Sequence, residues 1–372
     1  EIKINSMFNY SRHLIMKKTI LAVVTSSLLA ASANAAVVYD KDGQQLGLYG
    51  QLRYMAGQKD NLKDTDKAVI SGDAKAGDAD NFGGDSRVRI GVDGKWATGY
   101  NDVSLIGKQE WQVASQGNDT SDGDTNGTFN ARYSYIGADF GNGVQSVVGA
   151  VASPYAQLTD TTDIYQNYSG GVEDQSVGDI WDDSVAVTYA ADNWDLRSAV
   201  SFSDEEKTDS DLNADGAKTQ TRYGVSAGYT FPIDEVSSLK PVLAYQAEEG
   251  KTGDLDYTNS QYAVGLGYTY DAFYLASTYG QAKYDTDTLD ATKDTVWAVS
   301  ASYKVLPEWT VVANYGLVDP HNNGEASGAW GEYYVLATQY DITAKAKAFV
   351  EYKINQVSGQ DDNYIVGLQY TF

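Results

Sequence analysis

The sequence predicts an all-β protein, a sixteen-stranded antiparallel transmembrane β-barrel, and three observations carry that expectation. Apolar and polar side chains alternate with a period of two in roughly sixteen segments, the number of a large outer-membrane barrel. The connections between those segments fall alternately into short and long classes, as an up-and-down barrel with short turns at one rim and long loops at the other requires. The last segment sets Tyr364, Val366, Leu368, Tyr370 and Phe372 on one face and Asn363, Gly367, Gln369 and Thr371 on the other. In a barrel that alternation puts the apolar face in lipid and the polar face in a water-filled lumen.

Taken in order, the chain begins with residues 1–15, which precede Met16 and read as an upstream, non-native extension. Residues 16–35 read as a signal peptide: Met16, Lys17 and Lys18 form a basic start, Ile20 to Ala31 an apolar run, and Ala33, Asn34 and Ala35 a small-residue cleavage site. The run is too short for a membrane-spanning helix, which needs about 20 apolar residues. Residues 36–372 then form the barrel. The 372-residue chain carries a net charge of −24 and no cysteine. Such an acidic chain is a poor partner for nucleic acid, whose phosphates select basic patches. Its exported form must be held by ladder hydrogen bonds and packing instead of disulfides.

Strands are expected over Leu46–Tyr54, Arg87–Trp96, Val103–Val113, Asn130–Phe140, Val144–Val151, Ser184–Tyr189, Trp194–Phe202 and Arg222–Phe231. A second set covers Leu239–Ala247, Gln261–Tyr270, Phe273–Tyr279, Thr295–Tyr303, Trp309–Tyr315, Glu332–Tyr340, Lys345–Ile354 and Asn363–Phe372. Short turns are read at Thr98–Asn101, Gly141–Gly143, Ala190–Asn193, Tyr270–Ala272, Leu306–Glu308 and Tyr340–Thr343. Long loops are read at Gln58–Gly84, Gly117–Gly127, Ala152–Asp183, Ser203–Gln220, Glu248–Asn259, Tyr284–Asp294 and Leu317–Trp330. Aromatics at strand ends (Trp96, Tyr229, Phe231, Tyr303, Trp309 and Tyr340) suit the girdles at the two membrane interfaces.

Strand parity also sorts the charges. With Val88, Ile90, Val92 and Trp96 facing lipid, Arg87, Arg89, Asp93 and Lys95 face the lumen. The same test turns Gln51 and Arg53 inward beside Leu52 and Tyr54, and Lys108, Glu110 and Gln112 inward beside Trp111 and Val113. It places Arg132 inward beside an outward Tyr133, and Arg197 and Arg222 inward on their own strands. Arginines of one parity on successive strands form a patch on one wall, and rings of charge set the selectivity of a pore. Most strand charges merely face solvent, and that plainer reading stands beside this one.

Certain segments also resemble a known family. Tyr39, Asp40, Lys41, Asp42 and Gly43, with Leu48, Tyr49 and Gly50 after them, resemble the opening of the general diffusion porins of Gram-negative bacteria, the OmpC/OmpF/PhoE type. Phe349 to Gln356 resembles their penultimate strand and Gly367 to Phe372 their last, with Vibrio-type porins among the nearest. The resemblance implies a homotrimer of sixteen-stranded barrels in the cell outer membrane. It implies a third long loop folded into each pore as a constriction, and passive passage of ions and small hydrophilic solutes. It carries the basic constriction wall onto Arg89 and Arg132. Gln51 replaces a lysine there, with Arg53 nearby on the same face, and Asp182 stands near a further family arginine. On the loop, Asp163 matches the acidic position within Thr162 to Tyr165, and Asp160 is the candidate for a glutamate lost in Gln166 to Gly171. The basic candidates are thus Arg53, Arg87, Arg89 and Arg132, and the acidic ones Asp160 and Asp163. By the same resemblance Phe372 is the assembly signal read by the barrel-assembly machinery, and lipopolysaccharide is a partner.

Other chemistry finds little support. Asp122, Asp124, Asn126 and Gly127, and Asp211, Asn213, Asp215 and Gly216, match the first half of a calcium loop but lack its closing glutamate. They read as acidic turns, with divalent bridging to lipopolysaccharide as the remaining option. Beyond His13, His321 is the sole imidazole, too little for a zinc site or a triad, so neither an enzyme nor a cofactor is expected. Two alternatives to general diffusion stay open. One is a substrate-specific pore, for oligosaccharides for example, with Tyr155, Tyr165 and Tyr168 as its aromatics. The other is a structural or adhesive surface barrel.

Overall fold

In the computed structural model, described over residues 36–58, 82–115, 129–168, 177–202, 217–252, 255–286, 289–322, 325–326, 331–357 and 360–372, period-two alternation becomes one closed antiparallel sheet. The segments read from the sequence as an upstream extension (1–15) and a signal peptide (16–35), both segments read as acidic turns, and the tips of several loops lie outside the described residues. The strands are β1 (Ala36–Lys41), β2 (Gln44–Gln58), β3 (Phe82–Ala97), β4 (Ser104–Ser115), β5 (Asn130–Asp139) and β6 (Val144–Ala152). A single helical turn, α1 (Ala156–Thr159), precedes β7 (Ile180–Ala191), β8 (Trp194–Phe202), β9 (Ala217–Tyr229), β10 (Phe231–Pro232), β11 (Ser237–Thr252) and β12 (Leu255–Tyr270). The rest are β13 (Phe273–Thr286), β14 (Leu289–Leu306), β15 (Trp309–Asn322), β16 (Glu325–Ala326), β17 (Gly331–Thr343), β18 (Ala346–Asn355) and β19 (Asn363–Thr371).

Sixteen of these are full staves, each overlapping one of the expected strands; β10 and β16 are two-residue fragments. The sixteenth position is shared. β19 pairs with Gln51–Gln58 of β2, and β1 takes the remainder of the same edge, from Ala36 opposite Leu48 to Lys41 opposite Gln44. Asp42 and Gly43, both at positive φ (55° and 75°), make the two-residue turn between β1 and β2, the geometry that matches strand twist in a hairpin. Together β1 and β19 leave no open length on β2, which is how a barrel avoids an aggregation-prone edge.

Three of the expected long loops are ladder instead. β11 and β12 stay paired up to Thr252 opposite Leu255, β13 and β14 up to Thr286 opposite Leu289, and β15 runs on to Asn322 opposite Thr292. The 18 residues of β14 span roughly 60 Å at about 3.4 Å per residue, whereas about 9–11 residues cross a bilayer. These hairpins therefore project beyond the membrane. Their polar residues read as loop because no apolar face is needed there.

The lipid-facing band is defined by the register. Tyr245 opposes Tyr262, Tyr279 opposes Trp297, Tyr315 opposes Tyr334 and Tyr352 opposes Tyr364, forming an upper aromatic belt across β11 to β19. A lower belt near the short turns contains Trp96, Tyr229, Phe231, Tyr303, Trp309 and Tyr340. The strand-end aromatics named from the sequence all fall in this lower belt. Leu243, Val264, Leu266, Leu275, Leu336 and Val366 are exposed between the two belts. Along β12 the eight steps from Tyr262 to Tyr270 cover about 27 Å, or about 21 Å once tilted by ~40°, close to the apolar height of an outer-membrane barrel.

Candidate functional site

The third long connection, between β6 and β7, folds inward and lies along the inner wall. Ser153 N–H donates to Asp179 O (2.8 Å) and closes its base. Beyond that base the segment around α1 packs Tyr155 and Leu158 on Val242, Ala244 and Ala263 of β11 and β12. The Gln157 amide donates to Asp195 O of β8 (2.9 Å), next to the Arg197–Asp195 ion pair at 2.8 Å. The wall then takes hold of the loop backbone one strand after another. Tyr274 of β13 donates to Thr161 O (2.7 Å), Ser300 of β14 to Thr162 O (2.6 Å) and Gln339 of β17 to Ile164 O (3.2 Å). Tyr165 packs between Val296, Ala298, Val312, Val335 and Ala337, its hydroxyl 2.8 Å from Ser300 Oγ.

The far end of the loop is clamped by two charges. The fully buried Glu351 of β18 accepts the successive N–H groups of Gln166, Asn167 (3.0 Å) and Tyr168 (3.1 Å). Arg53 of β2 donates to the Gln166 carbonyl, while its Nε and Nη2 reach Gln369 Oε1 at 3.0 and 2.8 Å. Arg53 is inward as its parity predicts, yet its guanidinium is engaged in holding the loop.

This path explains a departure from the sequence expectation. The inner face of the C-terminal half is not polar: Val242, Ala244, Val296, Ala298, Val312, Val335, Phe349 and Ile365 all point inward and are buried. They form a second apolar face because the loop covers it. Sheets covered on both faces read as continuous apolar runs, and Val311-Val312-Ala313 is such a run. The loop tyrosines follow the same logic. Tyr155 is 1 % exposed and Tyr165 7 % exposed, so both are packing residues and do not line an aromatic path for sugars.

The wall across from the loop is left open to the lumen. On β3, Arg87 Nη2 donates to Gln51 Oε1 (3.2 Å) and Arg89 Nε to Gln112 Oε1 of β4 (2.7 Å). Arg132 of β5 is ion-paired with Glu110, whose other oxygen accepts the Tyr49 hydroxyl at 3.0 Å. Lys108 Nζ lies 5.3 Å from the Tyr49 ring centre and 4.8 Å from that of Tyr133, within the range of cation–π attraction. Arg87 and Arg132 stand close enough to Arg89 to repel it. Cations outnumber Asp93 and Glu110 on this wall.

One expectation on this wall is corrected. Tyr133 does not face lipid beside an inward Arg132. Glu110 opposes Tyr133 and Trp111 opposes Ala131, so Arg132 is the extra residue of a β-bulge. The bulge sets Tyr133 on the lumen face with Lys108 and still lets Arg132 reach Glu110. Bulges re-aim side chains in this way near functional sites.

On the loop, Asp160 and Asp163 are both exposed. Asp160 follows α1 directly and lies within electrostatic reach of Tyr133 on the basic wall and of Lys240 and Tyr274 on the loop-bearing side. Asp182 is exposed beside Asp183 (φ 49°), where a register irregularity interrupts the β6–β7 ladder. The geometry thus joins Arg87, Arg89 and Arg132 on one wall, sets Asp160 and Asp163 on the loop, and separates Arg53 as a tether. Glu351 was not a candidate in the sequence; its only signal was an acid amid the inward positions of the penultimate strand.

Comparison with known proteins agrees with this architecture. A family model described as Gram-negative porin matches residues 19–360. Outer membrane porin F of Escherichia coli O6:K15:H31 is 25% identical, covering 96% of this chain and 100% of its own length. Outer membrane porin F of Xenorhabdus nematophila is 27% identical at the same coverage. Among solved structures, Salmonella typhi OmpF in complex with daunomycin superposes with a TM-score of 0.71 at 15% identity, covering 91% of this chain and 100% of that one. In-vitro folded OmpT of Vibrio cholerae, in its trimer form, gives 0.65 at 17% identity over 89% of this chain and 100% of that one.

Proposed function

Since this outer-membrane barrel belongs to the Gram-negative porin family, we propose that it is a general diffusion channel, assembled as a homotrimer, whose waist is set by Arg87, Arg89 and Arg132 facing Asp160 and Asp163. Passive diffusion through a porin is the family's activity; the trimer, the charged waist and the lack of solute specificity are the parts of this reading that go further. The observation that carries it is the loop itself, laid along the inner wall from β8 round to β2 and bearing two exposed carboxylates, Asp160 and Asp163.

Opposed charges across a narrow waist create a transverse field. Hydrated ions and dipolar solutes orient in that field and keep compensating contacts, while large apolar solutes lose water and gain nothing. Arginine suits the wall because it stays charged at any working pH. Nothing in this passage requires catalysis, and His321, beside Asp319 near the outer rim of β15, is given no role in it. An oligosaccharide-specific channel is the weaker reading, since Tyr155 and Tyr165 are packed away from the lumen. Lipid and lipopolysaccharide surround the barrel in this reading, and Phe372 addresses it to the barrel-assembly machinery.

Planar-bilayer recording tests the proposal. The expected record is a large conductance, ohmic at low voltage, closing in three equal steps and weakly selective in a KCl gradient. Block by micromolar sugar would favour the specific channel instead. Liposomes that fail to swell in small sugars would favour a surface barrel with a plugged lumen.

A further inference from the structure

On the inner wall that carries the loop, one cation stands among residues that otherwise pack or clamp. Lys240 of β11 has the parity of Val242 and Ala244, which are buried under the loop, so its side chain rises from the same face. Glycine flanks it twice. Gly267 opposes it on β12, and Gly228 of β9 opposes Val242, the next position on that face. The room these glycines leave is occupied. A Cβ on Gly228 would lie 2.7 Å from the Gln157 amide nitrogen and 3.5 Å from Lys240 Cε, and one on Gly267 would lie 3.0 Å from the Tyr274 hydroxyl.

These contacts fix where Asp160 stands. Gln157 and Thr161 bracket it in the chain, and its own N–H donates to Ala156 O at 2.9 Å. Gln157 is held at Gly228, and Tyr274 holds Thr161 O beside Gly267. The carboxylate is therefore carried on a tight turn pinned on both sides of Lys240, and the two charges lie within electrostatic reach. The other nearby acid, Asp195, is committed to Arg197 by contacts of 3.0 and 2.8 Å. Among the described residues no carboxylate comes within ion-pair distance of Lys240. Its charge acts through space, and beside a low-dielectric wall it does so over several ångströms.

We infer that Lys240 determines selectivity from behind the loop: it offsets the charge of Asp160, so that the pore passes small anions more readily than the arginine wall and loop carboxylates alone would allow. The inference rests on the reading of Asp160 as a waist charge and adds the residue that weakens it. Lys240 lies outside the basic wall of β3 to β5 and belongs to the side that the loop covers. It is a positioning cation, acting on solutes through Asp160.

The test is the reversal potential of the folded full-length channel in a KCl gradient at about 0.1 M, where the screening length is about 10 Å. Lys240→Gln should move the potassium-to-chloride permeability ratio about twofold toward potassium, and Lys240→Arg should leave it at the parent value. Asp160→Asn should move it the other way. In the Asp160→Asn background, Lys240→Gln should shift the ratio by less than half as much, because the charge it offsets is gone. Heat-modifiable gel mobility selects folded channels, and Lys240→Met, which keeps the stem over Gly228, serves if the glutamine variant does not fold. An unchanged ratio in the Lys240 variants, with Asp160→Asn still active, would overturn the inference and leave the waist reading intact. A full-sized shift in the Asp160→Asn background would make Lys240 an independent wall charge and overturn it too. Faster proteolysis within residues 160–170 in Lys240→Gln would assign its shift to loop release, again against the inference. A silent Asp160→Asn would remove Asp160 from the waist, and the inference with it.

Discussion

Gln112 and Gln51 accept hydrogen bonds from the guanidinium groups of Arg89 and Arg87 at 2.7 and 3.2 Å, and a neutral amide acceptor positions a cation without neutralising it. Arg132 differs, because its charge is shared with Glu110. Removing a fixed cation from a pore wall lowers the local anion concentration and raises that of cations. Arg89→Gln should therefore shift the reversal potential in a KCl gradient toward potassium, with a permeability ratio changed several-fold, and Arg132→Gln should do so at least as much because it leaves the Glu110 carboxylate without its counter-charge. Arg53→Gln provides the contrast. Its guanidinium holds Gln166 O and Gln369, so that variant should raise current noise more than it shifts selectivity. A selectivity shift in Arg53→Gln equal to that in Arg89→Gln would return Arg53 to the conducting wall. Parity alone reveals that all these residues face inward. It does not reveal which of them the loop engages, because that partner lies 113 positions away from Arg53.

At the level of elements, the loop clamp and the strand ladders have separate stabilities. Glu351 satisfies three loop N–H groups at once, and charge-assisted bonds of this kind are about twice as strong as neutral ones. Glu351→Ala leaves those donors without their acceptor at a cost of about 1–3 kcal/mol each if they stay dry, so the loop segment should release and hydrate instead. The expected phenotype is faster proteolysis within residues 160–170 and larger current fluctuations, with the barrel's melting temperature little changed. Glu351→Gln, which keeps one acceptor oxygen, should lie between. A fall in barrel melting temperature without loop cleavage would show that Glu351 supports the strands instead. The sequence made the sixteen staves legible because period-two alternation survives wherever one face meets lipid. It failed in three places, each for a physical reason. Hairpins such as Glu248–Asn259 have no lipid contact and so show no apolar face; strands such as β15 are apolar on both faces because a distant loop covers the inner one; and the bulge at Arg132 adds one residue, which reverses parity for Tyr133.

For the whole molecule the decisive contact is closure, where Phe372 meets Gly50. Their backbones exchange both hydrogen bonds at 3.0 Å, and the Phe372 ring lies over Gly50 so closely that a Cβ there would fall 2.3 Å from it. Glycine suits this point because an aromatic ring occupies the place a side chain would take, and Tyr370 stacks alongside with ring centres 6.2 Å apart. The pair sits where β19 hands the edge of β2 over to β1, so its loss opens a gap between two ladders that are otherwise complete. The eight pairs from Gln51 to Gln58 remain to hold a finished barrel shut, and none of Arg87, Arg89 or Arg132 touches the gap. Deleting Phe372 should accordingly reduce the yield of folded, membrane-inserted barrel by severalfold, while the channels that do insert conduct as the parent does. Gly50→Ala should give a milder version, because the ring can swing aside at the cost of its packing. Phe372→Tyr should fold normally, since it keeps the ring and both backbone bonds. Quantitative gels of heat-modifiable barrel from membranes, read with single-channel conductance, decide the matter. Normal yield from the deletion would remove Phe372 from assembly, and altered unitary conductance would show that closure at Gly50 reaches the waist of the pore.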